Sequence, residues 1–241
     1  KIKTIPMKRL LLLGCLMMLI GCVRQKTDAK YWMLKGRIAE MREGSAVAYL
    51  KFGKWVPDTI DSYDEIHTFD HSGRWMESRF FEKESYDEPN YVVQRSPGDS
   101  SVRIEYGYNR EGDLKSISSI ERINRTHTVK KTSRISSDYK KDTIPLCETD
   151  IIYSDSLTTI TRTFFDRDQP IPVITLLYLK NGCIIRELTY IMDGDTLTNK
   201  SYQYIDFDEQ GNWLRRLVYD SLQAPYDHHQ KMELRRYKYY D

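Results

Sequence analysis

Along most of the chain, apolar and polar residues alternate in short runs broken by Gly, Pro, Asn and Asp, the period-two pattern of strands. It is clearest in the C-terminal third. Val173–Leu179 runs into Asn181-Gly182, a strong hairpin dipeptide, and returns through Ile184–Ile191. Asp193-Gly194 marks a second tight turn. Residues 196–207 go out again, Asp208–Asn212 turns, 213–219 returns, and Met232–Tyr240 supplies a further strand. In the N-terminal half the pattern predicts strands at 34–43, 46–52, 62–69, 74–82, 91–95, 101–108, 114–123 and 126–135. The 114–123 segment is ambiguous, because Leu114, Ile117, Ile120 and Ile123 recur every three residues like a helical stripe. The serines and isoleucines around them have weak helix propensity, so it is read as strand. Loops are expected at 84–90, 96–101, 136–145 and 166–172, supported by Pro89, Pro97, Pro145, Pro170 and Pro172. The 136–145 loop is the expected sub-domain boundary. The fold class is therefore all-β: a long antiparallel meander of hairpins forming an open, curled sheet or partial barrel.

One short unit recurs three times: Phe69-Asp70-His71-Ser72-Gly73-Arg74-Trp75, Tyr108-Asn109-Arg110-Glu111-Gly112-Asp113-Leu114, and Phe207-Asp208-Glu209-Gln210-Gly211-Asn212-Trp213. Asp or Asn can cap a turn through its side chain, and Gly three residues later accepts positive φ. The flanking aromatic and Trp/Leu fall on paired strands, where side chains meet across the ladder.

The N-terminus breaks this pattern. Lys8 and Arg9 precede an apolar run from Leu10 to Ile20 that is too short to span a bilayer, and Leu19-Ile20-Gly21-Cys22 follows. This resembles the signal of bacterial lipoproteins, with Met7 as the expected start. The resemblance implies a signal peptide over 1–21, cleavage before Cys22, acylation of Cys22 including a diacylglycerol, and attachment to the cell-envelope membrane. Residues 22–30 would be a tether and 31–241 the folded domain. Val23 after the lipidated cysteine is not the Asp that favours inner-membrane retention in some bacteria, so the outer membrane is the expected location.

Composition then narrows the partners. Losing Lys1, Lys3, Lys8 and Arg9 with the leader takes Lys+Arg from 37 to 33 against 35 Asp+Glu, so the mature charge is near −2 rather than +2. Nucleic-acid binders carry a basic excess, and none is expected here. Charged residues make up 30% and mean hydropathy is −0.62, so no second membrane segment is expected. Arg and Glu in mid-strand argue against a transmembrane barrel, whose lipid face must be apolar. Eighteen Tyr against twelve Gly and eight Pro is a strand-leaning composition.

The Gly-centred unit resembles the YD repeat of RHS-type proteins. A closer resemblance is to small bacterial envelope lipoproteins that begin with a Leu-Lys-Gly-x-Val stretch, here Leu34-Lys35-Gly36-Arg37-Ile38, and continue through YD-like hairpins. The resemblance implies fold and location rather than an activity. Large RHS proteins wind such repeats into an enclosing shell, for which this chain is short.

No motif specifies catalysis, and no cofactor is expected. Asp206-x-Asp208-x-Gln210-Gly211 opens like a calcium loop, but Leu217 stands where the bidentate Glu belongs. His67 with His71, and His228-His229 beside Asp227, do not converge on a strand or turn and are read as solvated, so no metal is expected. Ser137-Asp138-Tyr139-Lys140 has acyl-enzyme spacing in a charged, Pro-bounded stretch that offers no dry pocket. Cys147 and Cys183 could form a disulfide in an oxidising compartment. Tyr202, Tyr204, Trp213, Tyr219, Tyr237 and Tyr239 could form an exposed binding face for a protein or glycan, or pack as cross-strand pairs. The expected function is a lipid-anchored envelope protein acting as a binding or scaffolding module. The alternatives are an envelope hydrolase with a carboxylate site and a small-molecule or lipid carrier.

Overall fold

The structure, a computed structural model, describes residues 28, 32–58, 63–82, 88–97, 102–136, 143–165, 170, 172–192, 194–222 and 229–241. The predicted signal peptide, the lipidation site at Cys22, Ser137–Lys140, Asp193 and Asp227-His228 lie outside them. All three Gly-centred units are hairpin turns of one geometry. Gly73, Gly112 and Gly211 have φ of 77°, 80° and 81°. In each unit the Gly N–H donates to the carbonyl of the Asp or Asn three residues earlier, at 2.9–3.0 Å. The side chains of Asp70, Asn109 and Asp208 accept from the backbone N–H four residues on, at 3.0, 2.8 and 2.7 Å. Asn181-Gly182 also turns with both residues at positive φ, as its sequence demands.

The described residues form fifteen strands: β1 Ile38–Lys51, β2 Lys54–Pro57, β3 Glu65–Phe69, β4 Trp75–Phe80, β5 Tyr91–Arg95, β6 Val102–Asn109, β7 Leu114–Arg122, β8 His127–Ile135, β9 Thr143–Tyr153, β10 Leu157–Phe164, β11 Pro172–Lys180, β12 Cys183–Ile191, β13 Thr196–Phe207, β14 Trp213–Asp220 and β15 His229–Tyr239. Each pairs antiparallel with its neighbours in sequence order, except that β1 pairs with β3 through its first half and with β2 through its end. The sheet is closed, whereas the sequence pattern predicts an open, curled sheet or partial barrel. β15 returns to β1 through eleven partner pairs, from Ile38 opposite Tyr239 to Tyr49 opposite His229. Fourteen strands thus close into a barrel, with β2 as an appendage. Closure satisfies both edges that an open meander leaves unpaired.

Other departures share a cause. The predicted strands 34–43 and 46–52 are one strand, β1, which runs straight through Gly44. β9 and β10 were not expected. β10 is Leu-Thr-Thr-Ile-Thr-Arg-Thr-Phe, with threonines on both faces, so apolar and polar residues do not alternate. Pro145 reads as a loop residue but sits in β9 beside a register shift, where a strand tolerates the missing N–H. β8 and β9 pair at nine positions, so residues 136–145 do not divide sub-domains. β7 is strand as read.

The inner wall is polar. Around the ring, Met41 opposes His67, His67 opposes Ser78, Ser78 opposes Val93, Val93 opposes Gly107, and Gly107 opposes Ser116. Following the same face onward gives Thr128, Ile151, Ile160, Thr175, Thr189 and Thr198. The buried polar strand residues His67, Ser78, Glu105, Ser118, Thr128, Thr158 and Thr175 all share this face. Their hydroxyls pair across strands, Ser118 with Thr132 and Thr175 with Thr189, both at 3.0 Å. The fully apolar clusters lie near the seam. Ile38 and Met41 pack with Phe69 and Trp75, and Ala48, Leu217, Met232 and Leu234 pack together on the outer face.

Two predictions follow from the turns. Gly211→Val should lower stability by about 1–2 kcal/mol, because a β-branched residue fits positive φ poorly. Urea denaturation measures it, and an unchanged midpoint would contradict the turn. Asp70 is slightly penalised by burial, but hydrogen bonds from Ser72 and Arg74 lower its pKa to about 2. A depressed carboxylate stabilises the fold above its unfolded pKa, and that stabilisation is lost as pH falls from about 4 to about 2. Asp70→Asn keeps the acceptor that Asn109 supplies in the second turn. It loses the charge, however, so its urea midpoint should lie below that of wild type at pH 7, with the gap closing below about pH 4; parallel curves would show that Asp70 does not titrate this way.

Candidate functional site

The end of the barrel that carries the Asp70–Gly73, Asn181-Gly182 and Asp208–Gly211 turns is here called lower. The N-terminal segment docks there. Asn212, buried beneath it, accepts from Lys35 N–H (2.7 Å) and donates to Lys35 O (2.8 Å), as a paired strand would. The same amide donates to the Tyr239 hydroxyl at 2.8 Å. Upstream, Asp28 takes 2.7 Å contacts from both Arg95 and Arg103, and accepts from Trp75 N–H at 3.0 Å. Arg103 and Lys130 also hold the buried Glu105, at 2.9 and 2.8 Å. Asp28 was expected in the tether; it is instead bound into the barrel, where two half-buried guanidiniums gain a counter-charge.

Across the interior, β14 and β15 contribute an Arg–Trp–Arg stack. Two guanidiniums lie over the Trp213 ring, Arg216 at 4.4 Å and Arg235 at 4.1 Å from its centroid. Arg216 also covers Tyr202 at 4.1 Å. Irregular register on both sides of Asp206 turns Trp213 to the same side as Arg216. Each arginine has a carboxylate: Glu233 meets Arg216 at 2.7 Å, and Glu43 forms an ion pair with Arg235. Such stacking stabilises further once water is excluded.

The stack is a wall shared by two cavities of about 230 Å³ each. The lower one, between the N-terminal segment and the Asn181-Gly182 turn, combines Trp32, Tyr204, Trp213 and Tyr237 with Lys35, Arg216 and Arg235, and among the described residues no carboxylate lines it. The upper one is rich in acids: Glu43, Asp64, Glu65 and Glu233, beside Lys231 and the two arginines.

At the edge of the upper cavity lies His67, 1% exposed. Its Nδ1 is 2.6 Å from Ser78 Oγ, which also accepts from Trp75 Nε1–H at 2.8 Å. Its Nε2 is 3.2 Å from Glu65 Oε2 and 3.7 Å from Glu43 Oε2. Trp32 covers the ring at 4.3 Å. Burial alone would lower the His67 pKa, but the two facing carboxylates outweigh it and raise it. Burial would raise that of Glu43, but Arg235 and His67 bring it down to about 2.

The predicted aromatic face is assembled but turned inward. None of Tyr202, Tyr204, Trp213, Tyr219, Tyr237 and Tyr239 is exposed. Tyr219 packs on the outer cluster, and the others lie on the inner side or at its lower rim. Their hydroxyls are engaged: Tyr202 on Glu187, Tyr204 on Ile184 O, Tyr237 on Trp213 O and Tyr239 on Asp208. Burial, then Glu187, raises the Tyr202 phenol, and burial pushes Tyr237 up to about 12, so both remain neutral donors. Cys147 and Cys183 are free thiols. Cys147 opposes Phe164 at the upper end, whereas Cys183 follows the lower Asn181-Gly182 turn, so the disulfide does not form. His67 is buried rather than solvated. His71 points elsewhere, stacked 3.8 Å from Tyr240. Asp206 pairs with Arg215 and Asp208 caps its turn, which leaves no calcium loop. The sequence reading did not find Glu43, Glu65, Glu233, Arg216 or Arg235 as site residues; the one available signal was charge in mid-strand on a face that the barrel turns inward.

Comparison of the chain with protein-family models, characterised proteins and solved structures found no match.

Proposed function

We propose that this protein is a lipid-anchored envelope barrel that binds a small anionic ligand in its lower cavity and performs no catalysis. The observation that carries the reading is the lining of that cavity: among the described residues it has three cations and four aromatic side chains and no carboxylate. Arginine forks recognise carboxylate and phosphate, and aromatic faces accept a planar or sugar ring. At about 230 Å³ the space is below the range of drug-sized ligands, which favours a small one. The interior location replaces an exposed platform for a protein or glycan. A hydrolase reading is weaker, because Glu43, at the centre of the acidic cluster, is held ionised rather than raised as a general acid requires.

Outer-wall charges such as Arg42, Arg79, Lys131, Glu148 and Arg186 support a barrel that stands outside the hydrocarbon layer. The anchor rests on the Leu19–Cys22 pattern. Six residues from Cys22 to Asp28 span at most about 21 Å, which would hold the lower mouth near the membrane.

Titration calorimetry of the full chain in detergent, with 2-naphthoate and with glucuronate, tests the ligand class. At least one should bind, and Lys35→Ala should weaken it several-fold without lowering the melting temperature. Failure of both anions to bind would remove this reading. Cys22→Ala should abolish incorporation of labelled lipid; normal labelling of that variant would refute the anchor.

A further inference from the structure

We propose that Glu43, Glu65 and His67 bind a first-row divalent transition-metal cation, of the zinc or manganese type, on the inner wall of the barrel. This goes beyond the anion-binding reading and does not depend on it. Glu43 and Glu65 are directly opposed on β1 and β3, and His67 is two residues beyond Glu65 on the same face. One oxygen of each carboxylate and the imidazole nitrogen therefore converge, all within 4.8 Å of one another.

The independent observation is at His67. Its Nε2 is buried and has no hydrogen-bond partner, although two carboxylate oxygens are near. The oxygens lie off the direction in which an N–H would donate. A buried polar atom left unpaired is costly and rare. Two ligand atoms about 2.1 Å from one ion, set at tetrahedral or octahedral angles, stand roughly 3.0–3.4 Å apart. The 3.2 Å separation from Glu65 falls in that range, and the 3.7 Å separation from Glu43 is just outside it.

The surroundings fit the same role. With Nδ1–H donating to Ser78 Oγ, the Nε2 lone pair faces the carboxylates, and the ring is fixed as metal-bound imidazoles usually are. Arg235 holds the other oxygen of Glu43, which leaves Oε2 turned to the site. An imidazole with two carboxylates suits zinc, manganese or iron, whereas calcium and magnesium prefer oxygen alone. Three protein ligands leave coordination positions for water from the adjoining upper cavity.

The test uses the full chain, stripped with a chelator and titrated with Zn²⁺, with Co²⁺ as a spectroscopic probe and Ca²⁺ as the control. One Zn²⁺ per chain should bind, Co²⁺ should give visible d–d absorption, and Ca²⁺ should not compete. Glu65, 39% exposed at its side chain, can be replaced without disturbing the core. Glu65→Gln should weaken Zn²⁺ binding tenfold or more, since even outer-shell partners contribute roughly tenfold to a hundredfold. Absence of Zn²⁺ binding would overturn the proposal and leave a proton as the occupant of Nε2. Binding unchanged in Glu65→Gln but lost in His228→Ala would place the ion elsewhere and overturn it equally.

Discussion

The structure depends on one pairing, β1 with β15. It joins the first strand of the domain to the last, so that Glu43 meets Arg235 across 192 residues of sequence. Every other strand pair except β1–β3 is between sequence neighbours and could form in an open sheet. Without the seam, both terminal strands would present unpaired N–H and C=O groups, a ready template for aggregation. The principal apolar clusters are placed on it. Met41, Ala48, Leu217 and Met232 are fully buried and all belong to β1, β14 or β15.

Away from the seam the interior is held differently. Threonines, serines and short charge networks line the wall, and several of its polar groups are matched across strands, Ser118 with Thr132 and Thr175 with Thr189 among them. This arrangement is demanding, because an unmatched partner in such a network costs more than a smaller apolar side chain would. It also places function. A polar interior can hold buried arginines, provided that counter-charges reach them. Asp28 serves Arg95 and Arg103, Glu233 serves Arg216, and Glu43 serves Arg235. The lower cavity has a surplus of cation and aromatic surface because the matching carboxylates sit on the far side of the Arg–Trp–Arg wall.

The candidate site was only partly legible in the sequence. Tyr202, Tyr204, Trp213 and Tyr237 could be named, since aromatic clustering on alternating strands is a local signal. Their environment could not, because the side of a sheet that faces solvent is set by how the sheet closes. The threonine-rich β10 was missed for a related reason. Where the inner wall is polar, alternation no longer separates inside from outside. His67 shows this most clearly. A lone histidine in a strand reads as solvated, yet the ring closure buries it between two glutamates and a tryptophan.

By itself the sequence determined the hairpins: the three Gly-centred turns, the Asn181-Gly182 turn and the antiparallel meander they impose. Turn chemistry is local, because positive φ in these turns is taken by Gly and Asn and a side-chain cap needs Asp or Asn at one fixed offset. Tertiary structure decided the rest. It closed the sheet, drew Asp28 from the tether into the barrel, set Cys147 and Cys183 at opposite ends, and brought Glu43, Glu65, His67, Arg216 and Arg235 around two cavities. Those contacts join residues far apart in the chain, whose meeting depends on strand number and register around the whole ring, and no window of neighbouring residues carries that information.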